Sequence, residues 1–181
     1  MRRAEFRLFA YIFLMASLNP HVAVYTGSFD PVTLGHLHII ERGAKLYDRL
    51  VVGIGVNIEK KSLFTPEERE ELLRRVTKPW PNVEVQFFSG LAVEFVRRLG
   101  AKVMVRGVRP LTDIAGEFTM MMANRQLDPE IETVFLMADE EYLHVSSSLI
   151  KQIAPLAGDD KLLRFVPAEV IPALRAKMKQ A

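Results

Sequence analysis

The chain has 181 residues, 49% of them hydrophobic and 25% charged, a composition that excludes a disordered tail and a collagen-like fibre and suits roughly one globular domain. Lysine and arginine number 24 against 22 acidic residues, and Arg2, Arg3 and Arg7 against Glu5 account for the whole net charge of +2, so the chain beyond residue 20 is neutral. That neutrality argues against non-specific binding of nucleic acid, and the absence of cysteine excludes disulfides, thiolate nucleophiles and cysteine-held zinc.

Residues 8–16 form an apolar run behind the arginines. It is too short for a membrane span, which takes about 20 apolar residues. Its form is that of a signal-peptide core, yet Met15 stands directly before Ala-Ser-Leu-Asn-Pro and the first clear strand, where a true start would sit. A misassigned start, a docking segment and an export signal are the three readings, and residues 1–20 are set apart as an extension to a domain over 21–181.

Residues 21–25 read as a buried first strand before Gly27. Apolar Leu37, Ile40, Ala44 and Tyr47 give residues 35–47 a helical period. A second strand is expected at 50–56. Thr65-Pro-Glu-Glu68 predicts the next helix start, with Thr65 as N-cap, Pro66 at the first helical position and Glu68 closing a capping box. A strand at 83–88, a helix at 91–99 ended by Gly100, a strand at 102–105, a helix at 113–127 and a strand at 133–137 follow. Helices at 146–157 and 168–179 close the chain. Strands apolar on both faces and alternating with helices predict one α/β domain, a doubly wound, Rossmann-like parallel sheet. Such sheets bind ligands outside the carboxyl ends of their strands, near the switch point.

The unusual residues fall at those ends. Gly27-Ser-Phe-Asp-Pro-Val-Thr-Leu-Gly-His36 follows the first strand and matches neither the dinucleotide fingerprint nor a P-loop. Gly27 permits close backbone approach, and Thr33 and His36 stand three apart at a helix start that favours anions. Taken singly, these residues also fit a turn and a cap. Lys60-Lys61 precedes Leu63-Phe64-Thr65; such a pair is elsewhere a solvated one, but here it stands in a switch-point loop. Arg106-Gly-Val-Arg109 offers two forked guanidinium groups for phosphate. Glu117 and Asn124 follow on a helix. Tyr142-Leu-His-Val-Ser-Ser-Ser148 brings hydroxyls to another helix start, with Lys151 beyond. His21, His38 and His144 show no base or ligand geometry of their own and read as surface or core residues. Asp30, Asp48 and Asp113 form no metal cage.

The Gly27–His36 string, with Thr33-Leu-Gly-His36 at its heart, resembles the HxGH/TxGH nucleotidylyltransferase superfamily. Over residues 21–175 the pattern closely resembles the bacterial phosphopantetheine adenylyltransferases. The resemblance implies transfer of AMP from ATP to 4′-phosphopantetheine, giving dephospho-coenzyme A and pyrophosphate. It implies His36, Lys60 and Arg109 as catalytic, and Ser28, Lys60, Ala92, Arg106 and Asn124 around the acceptor. The ATP set it implies is Ser28, Phe29, Thr33, His36, Gly107, Val108, Arg109, Glu117, Tyr142, Leu143, His144, Val145, Ser146, Ser147 and Ser148. It further implies Mg²⁺ carried with ATP, with no protein metal ligands, and a cytoplasmic homohexamer without nucleic-acid or membrane partners. One departure is clear: the family places an aromatic residue before the glutamate, and this chain has Ala115-Gly116.

On this reading the acceptor phosphate attacks the α-phosphorus in line, His36 bonds the α-phosphoryl oxygen, Thr33 helps to place it, and Arg109 and Ser147 neutralise the β,γ-phosphates. The rivals are a nucleotidylyltransferase acting on nicotinamide mononucleotide or glycerol 3-phosphate, and a non-catalytic nucleotide sensor. Relatives acting on those acceptors generally carry histidine where Thr33 stands. A sensor would be more credible had His36 or Arg109 been lost.

Overall fold

The computed structural model describes residues 17–56, 62–109 and 114–179. Of the extension set apart as residues 1–20, residues 1–16, Met15 among them, lie outside the described residues, whereas Asn19 and Pro20 already belong to the first strand. Five strands, β1 (Asn19–Gly27), β2 (Arg49–Gly55), β3 (Val83–Phe88), β4 (Ala101–Val108) and β5 (Glu132–Met137), form one parallel sheet in the order β3-β2-β1-β4-β5. The chain steps outward from β1 through β2 to β3, then crosses back to β4, so the switch point lies between β1 and β4. The helices are α1 (Leu34–Leu46), α2 (Pro66–Val76), α3 (Ala92–Arg98), α4 (Ile114–Leu127), α5 (Ser147–Ile153), α6 (Asp159–Leu162) and α7 (Ile171–Met178).

Strand alternation explains why both faces of the sheet are covered. Ala23 and Tyr25 of β1, with Leu50, Val52 and Ile54 of β2, pack with Ile39, Ile40, Leu73, Ile150 and Leu174. Val22, Val24 and Val51 point the other way, against Phe95, Val96 and Met104. Helix starts follow local chemistry. The Thr65 hydroxyl accepts from the Glu68 N–H at 3.2 Å, and a Glu68 carboxylate oxygen accepts from the Thr65 N–H at 2.8 Å, as the sequence predicts. Gly100 has φ +67, which suits its place as the stop after α3.

Several boundaries differ from expectation, β1 among them, which spans Asn19–Gly27 rather than 21–25, and three more bear on the local chemistry. β4 runs to Val108 because Arg106, Gly107 and Val108 stay paired with Phe135, Leu136 and Met137, so the arginine motif begins inside the strand. The helix expected over 146–157 stops at Ile153, with Ala154 as its C-cap, because Pro155 has no N–H to donate to the next carbonyl of the ladder. The last helix opens as a 3₁₀ turn, Ala168–Val170, before α7.

Gly116 lies on α4, where an added Cβ would meet nothing within 4 Å. The missing aromatic residue therefore leaves no void among the described residues. Glycine inside a helix costs about 0.5–1 kcal/mol against alanine, so Gly116→Ala is expected to raise Tm by about 1–4 °C. A fall in Tm on thermal unfolding would show that the position serves a close approach instead.

Candidate active site at the sheet switch point

Two cavities open at the carboxyl ends of the strands. The first, about 180 Å³, is walled by the start of α1, the end of β4 and the segment leading into α5. The second, about 490 Å³, lies between the turn after β1, the start of α3 and the inner side of α4.

His36 lines the first cavity, and its geometry follows from the cap of α1. The Thr33 hydroxyl accepts from the His36 N–H at 3.3 Å, and His36 Nδ1 accepts from the Thr33 N–H at 3.1 Å. Nδ1, engaged as an acceptor, cannot carry the proton of a neutral imidazole. That proton sits on Nε2, so the ring offers an N–H donor. Burial, then the charges of Arg109 and Arg106, push the His36 pKa down to about 4. Because the folded value lies below the ordinary one of about 6.5, the unfolded chain binds the proton first on acidification. Stability from this group is full above pH ~6.5 and is lost as pH falls towards 4. Titration of the His36 ring by NMR is expected to show a midpoint near pH 4; a midpoint near 6.5 would contradict the capping geometry.

Gly107 keeps the floor of this cavity open. A Cβ there would lie 3.0 Å from Ile39 and 3.3 Å from the Tyr25 hydroxyl, so a side chain would crowd the cavity floor. Arg109 Nη1 donates to the Val145 carbonyl at 3.3 Å, which draws the segment before α5 toward the end of β4. The Ser146 hydroxyl is the N-cap of α5, accepting from the Leu149 N–H, and the Ser147 hydroxyl donates to the Pro31 carbonyl at 2.8 Å. Beside Tyr142, the His38 ring stands tilted at 5.0 Å between ring centres and lies 3.1 Å from the Asp139 carboxylate.

The second cavity is mostly apolar, with Leu91, Met120, Met121 and Leu127 along it, and Asn124 and Arg106 as polar points. Arg106 donates to both carboxylate oxygens of Glu117, at 2.7 and 2.6 Å, and through Nη1 to the Thr26 carbonyl at 2.6 Å. Ser28 and Glu117 complete its polar end.

Residues 24–153 match the family described as cytidylyltransferase-like. A phosphopantetheine adenylyltransferase of Rhodopirellula baltica is 72% identical over 162 residues, covering 89% of this chain and 90% of that protein. One from Clostridium botulinum is 49% identical over 156 residues, covering 86% and 94% respectively. The chain belongs to the phosphopantetheine adenylyltransferase family. It is a nucleotidyltransferase, and its reaction is adenylyl transfer in coenzyme A biosynthesis. Among solved structures, a nicotinate-nucleotide adenylyltransferase from Vibrio parahaemolyticus matches with TM-score 0.60 at 16% identity, over 85% of this chain and 97% of that one. Nicotinic acid mononucleotide adenylyltransferase of Plasmodium falciparum matches with TM-score 0.55 at 12% identity, over 86% and 94%. Those two likenesses speak for the α/β fold alone.

In this adenylyltransferase the residues expected around the acceptor come together: Ser28, Ala92, Arg106 and Asn124 all line the second cavity. Lys60 lies outside the described residues. Of the expected ATP residues, Thr33, His36, Gly107, Val108, Arg109, Tyr142, Val145, Ser146 and Ser147 line the first. Others do not. Ser28 and Glu117 face the second cavity, Glu117 drawn there by Arg106. The Phe29 ring is buried against Tyr25 and His36, at φ 48, so only its backbone can meet a ligand. Such a left-handed non-glycine residue costs about 1 kcal/mol or more and is held by the packing around it. Leu143, His144 and Ser148 line neither cavity, and His144 stands edge-on to Phe165.

Sequence reasoning missed Asp30. Its buried carboxylate accepts from the N–H groups of Leu63 and Phe64 at 2.9 and 2.8 Å and pairs with Lys151, tying three segments beneath the site. An Asp-Pro turn gives no sign of partners more than 30 residues away.

Proposed function

We propose that ATP occupies the first cavity and 4′-phosphopantetheine the second, and that AMP passes between them where His36 stands near Arg106 and Arg109. A phosphate oxygen of 4′-phosphopantetheine attacks the α-phosphorus of ATP; a new P–O bond forms as the bond to pyrophosphate breaks. The products are dephospho-coenzyme A and pyrophosphate, and the reaction is reversible. No side chain becomes covalent, so catalysis is positioning plus stabilisation of charge on phosphoryl oxygens. The neutral His36 ring donates its Nε2–H to an α-phosphoryl oxygen, Thr33 fixes that ring, and Arg109 neutralises the β,γ-phosphates. Arg106 and Lys60 take the acceptor phosphate. The Ser147 hydroxyl is engaged by Pro31, so Arg109 carries most of the charge work.

The observation that carries this reading is the pair of unlike cavities at the carboxyl ends of the strands, one lined by His36 and Arg109 and the other by Arg106 and a long apolar side. The long apolar side of the second suits the pantetheine arm, and Asn124 suits its amides. Mg²⁺ is expected to come with ATP, held by the triphosphate and water rather than by protein side chains. When bound, that ion offsets phosphate charge.

Homohexamer formation is supported by Ile114, Phe118 and Met122 on α4, all at least 44% exposed, a surface suited to burial against other copies. A cytoplasmic location agrees with this chemistry, and no helix among the described residues is long and apolar enough to cross a membrane. The test is product formation with MgATP and 4′-phosphopantetheine, nicotinamide mononucleotide or glycerol 3-phosphate in parallel. Dephospho-coenzyme A is expected, with the other acceptors turned over at least about 100-fold more slowly. Preference for either other acceptor would overturn the assignment of the second cavity.

A further inference from the structure

We propose that Arg69, which lines neither cavity, is a positioning residue for adenylyl transfer: it holds the Ser28–Phe29 peptide so that the Phe29 N–H faces the reacting phosphates. The proposal rests on the adenylyl-transfer reading above.

Arg69 lies on α2 and is 3% exposed. A buried guanidinium ordinarily pairs with a carboxylate, because an uncompensated buried charge is costly. Among the described residues, Arg69 instead gives all its hydrogen bonds to backbone carbonyls. Nη1 donates to Ser28 at 2.9 Å and to Gly55 at 3.5 Å, and Nε donates to Thr65 at 3.3 Å. These are the turn after β1, the end of β2 and the N-cap of α2. One side chain therefore joins three segments at the substrate end of the sheet.

The direction of the Ser28 carbonyl gives this its chemical meaning. Ser28 and Gly55 line the second cavity and Arg69 lines neither, so the Ser28 carbonyl is turned to a partner outside the substrate space. The Ser28–Phe29 peptide is trans, and a trans peptide sets its N–H opposite its C=O. The Phe29 N–H lies on the opposite side of that peptide from the carbonyl, and no acceptor among the described residues meets it, which leaves it for a phosphate oxygen. From the other flank the buried Phe29 ring, 5.3 Å from Tyr25 and 5.0 Å from His36, holds the same backbone at φ 48. Arg69 and the ring together place one N–H donor beside the histidine. A full positive charge buried behind that donor adds to its attraction for anions.

The test compares kcat and both KM values of Arg69→Met and Arg69→Lys with the native enzyme. Calorimetric counting of ATP sites per chain refers each rate to folded sites. Arg69→Met is expected to lower kcat per site about 30-fold, with both KM values within about threefold, because the donor acts on the transition state. Arg69→Lys keeps the charge but cannot span three carbonyls, and a loss of about fivefold is expected. A purely structural role would lower Tm and the number of sites while leaving kcat per site unchanged. If the methionine variant shows no ATP sites, the lysine variant decides. A kcat per site within about twofold of native in the deciding variant overturns the proposal. A native enzyme that releases no pyrophosphate with any acceptor would instead remove the adenylyl-transfer reading on which it stands.

Discussion

His36→Ala is expected to lower turnover about 10²–10³-fold while leaving the sheet intact, the largest single effect of any side chain in the first cavity. The ring is held by the cap of α1 with Nδ1 accepting from Thr33, and its Nε2–H is the donor left to meet charge that grows on the α-phosphoryl group. Loss of a donor of this kind affects the transition state more than the ground state, so kcat falls and the KM for ATP changes little. Part of the α1 cap is lost as well, so a modest drop in stability of about 1 kcal/mol should accompany it. Steady-state kinetics with circular dichroism checks both. A variant with near-native turnover would remove His36 from the reaction.

Arg106→Ala should be nearly as damaging, with a different signature. Its guanidinium grips Glu117 with two hydrogen bonds inside the second cavity. Removing it deletes a phosphate partner and leaves the Glu117 carboxylate facing the acceptor phosphate, and like charges there repel. Together these effects are expected to lower kcat/KM for 4′-phosphopantetheine about 100-fold or more, with the response to ATP largely kept. Adding Glu117→Ala removes the repulsion, so the double variant should recover about five- to tenfold. A double variant as poor as the product of the two single losses would show that Glu117 acts independently of Arg106.

What could be read from the sequence was what local chemistry writes there. The capping box at Thr65 and Glu68 depends on residues three apart, and it appears as expected. The third strand, bounded by a turn and a glycine-marked loop, falls on Val83–Phe88 as predicted. The end of β4 was not legible, because Arg106 and Gly107 interrupt the apolar run after Val105 while ladder bonds to β5 continue through them to Val108. Within the site, the resemblance pointed to residues, and the fold decided which cavity each one faces. Glu117 is the clearest case: its partner stands eleven positions away on another element. Arg69 and Asp30 were invisible for the same reason. An arginine in a charged helix start reads as solvated, and only the fold places it beneath two strand ends, 3% exposed.

The central claim is direct transfer between two bound substrates, with the protein positioning and never bonding. Exchange of labelled pyrophosphate into ATP tests it most directly, since it reports cleavage of the α–β bond in either direction. Exchange is expected only when 4′-phosphopantetheine is present, and to be nearly abolished in His36→Ala. Exchange with ATP alone would reveal a covalent adenylyl-enzyme and contradict the account, as would no exchange with both substrates bound.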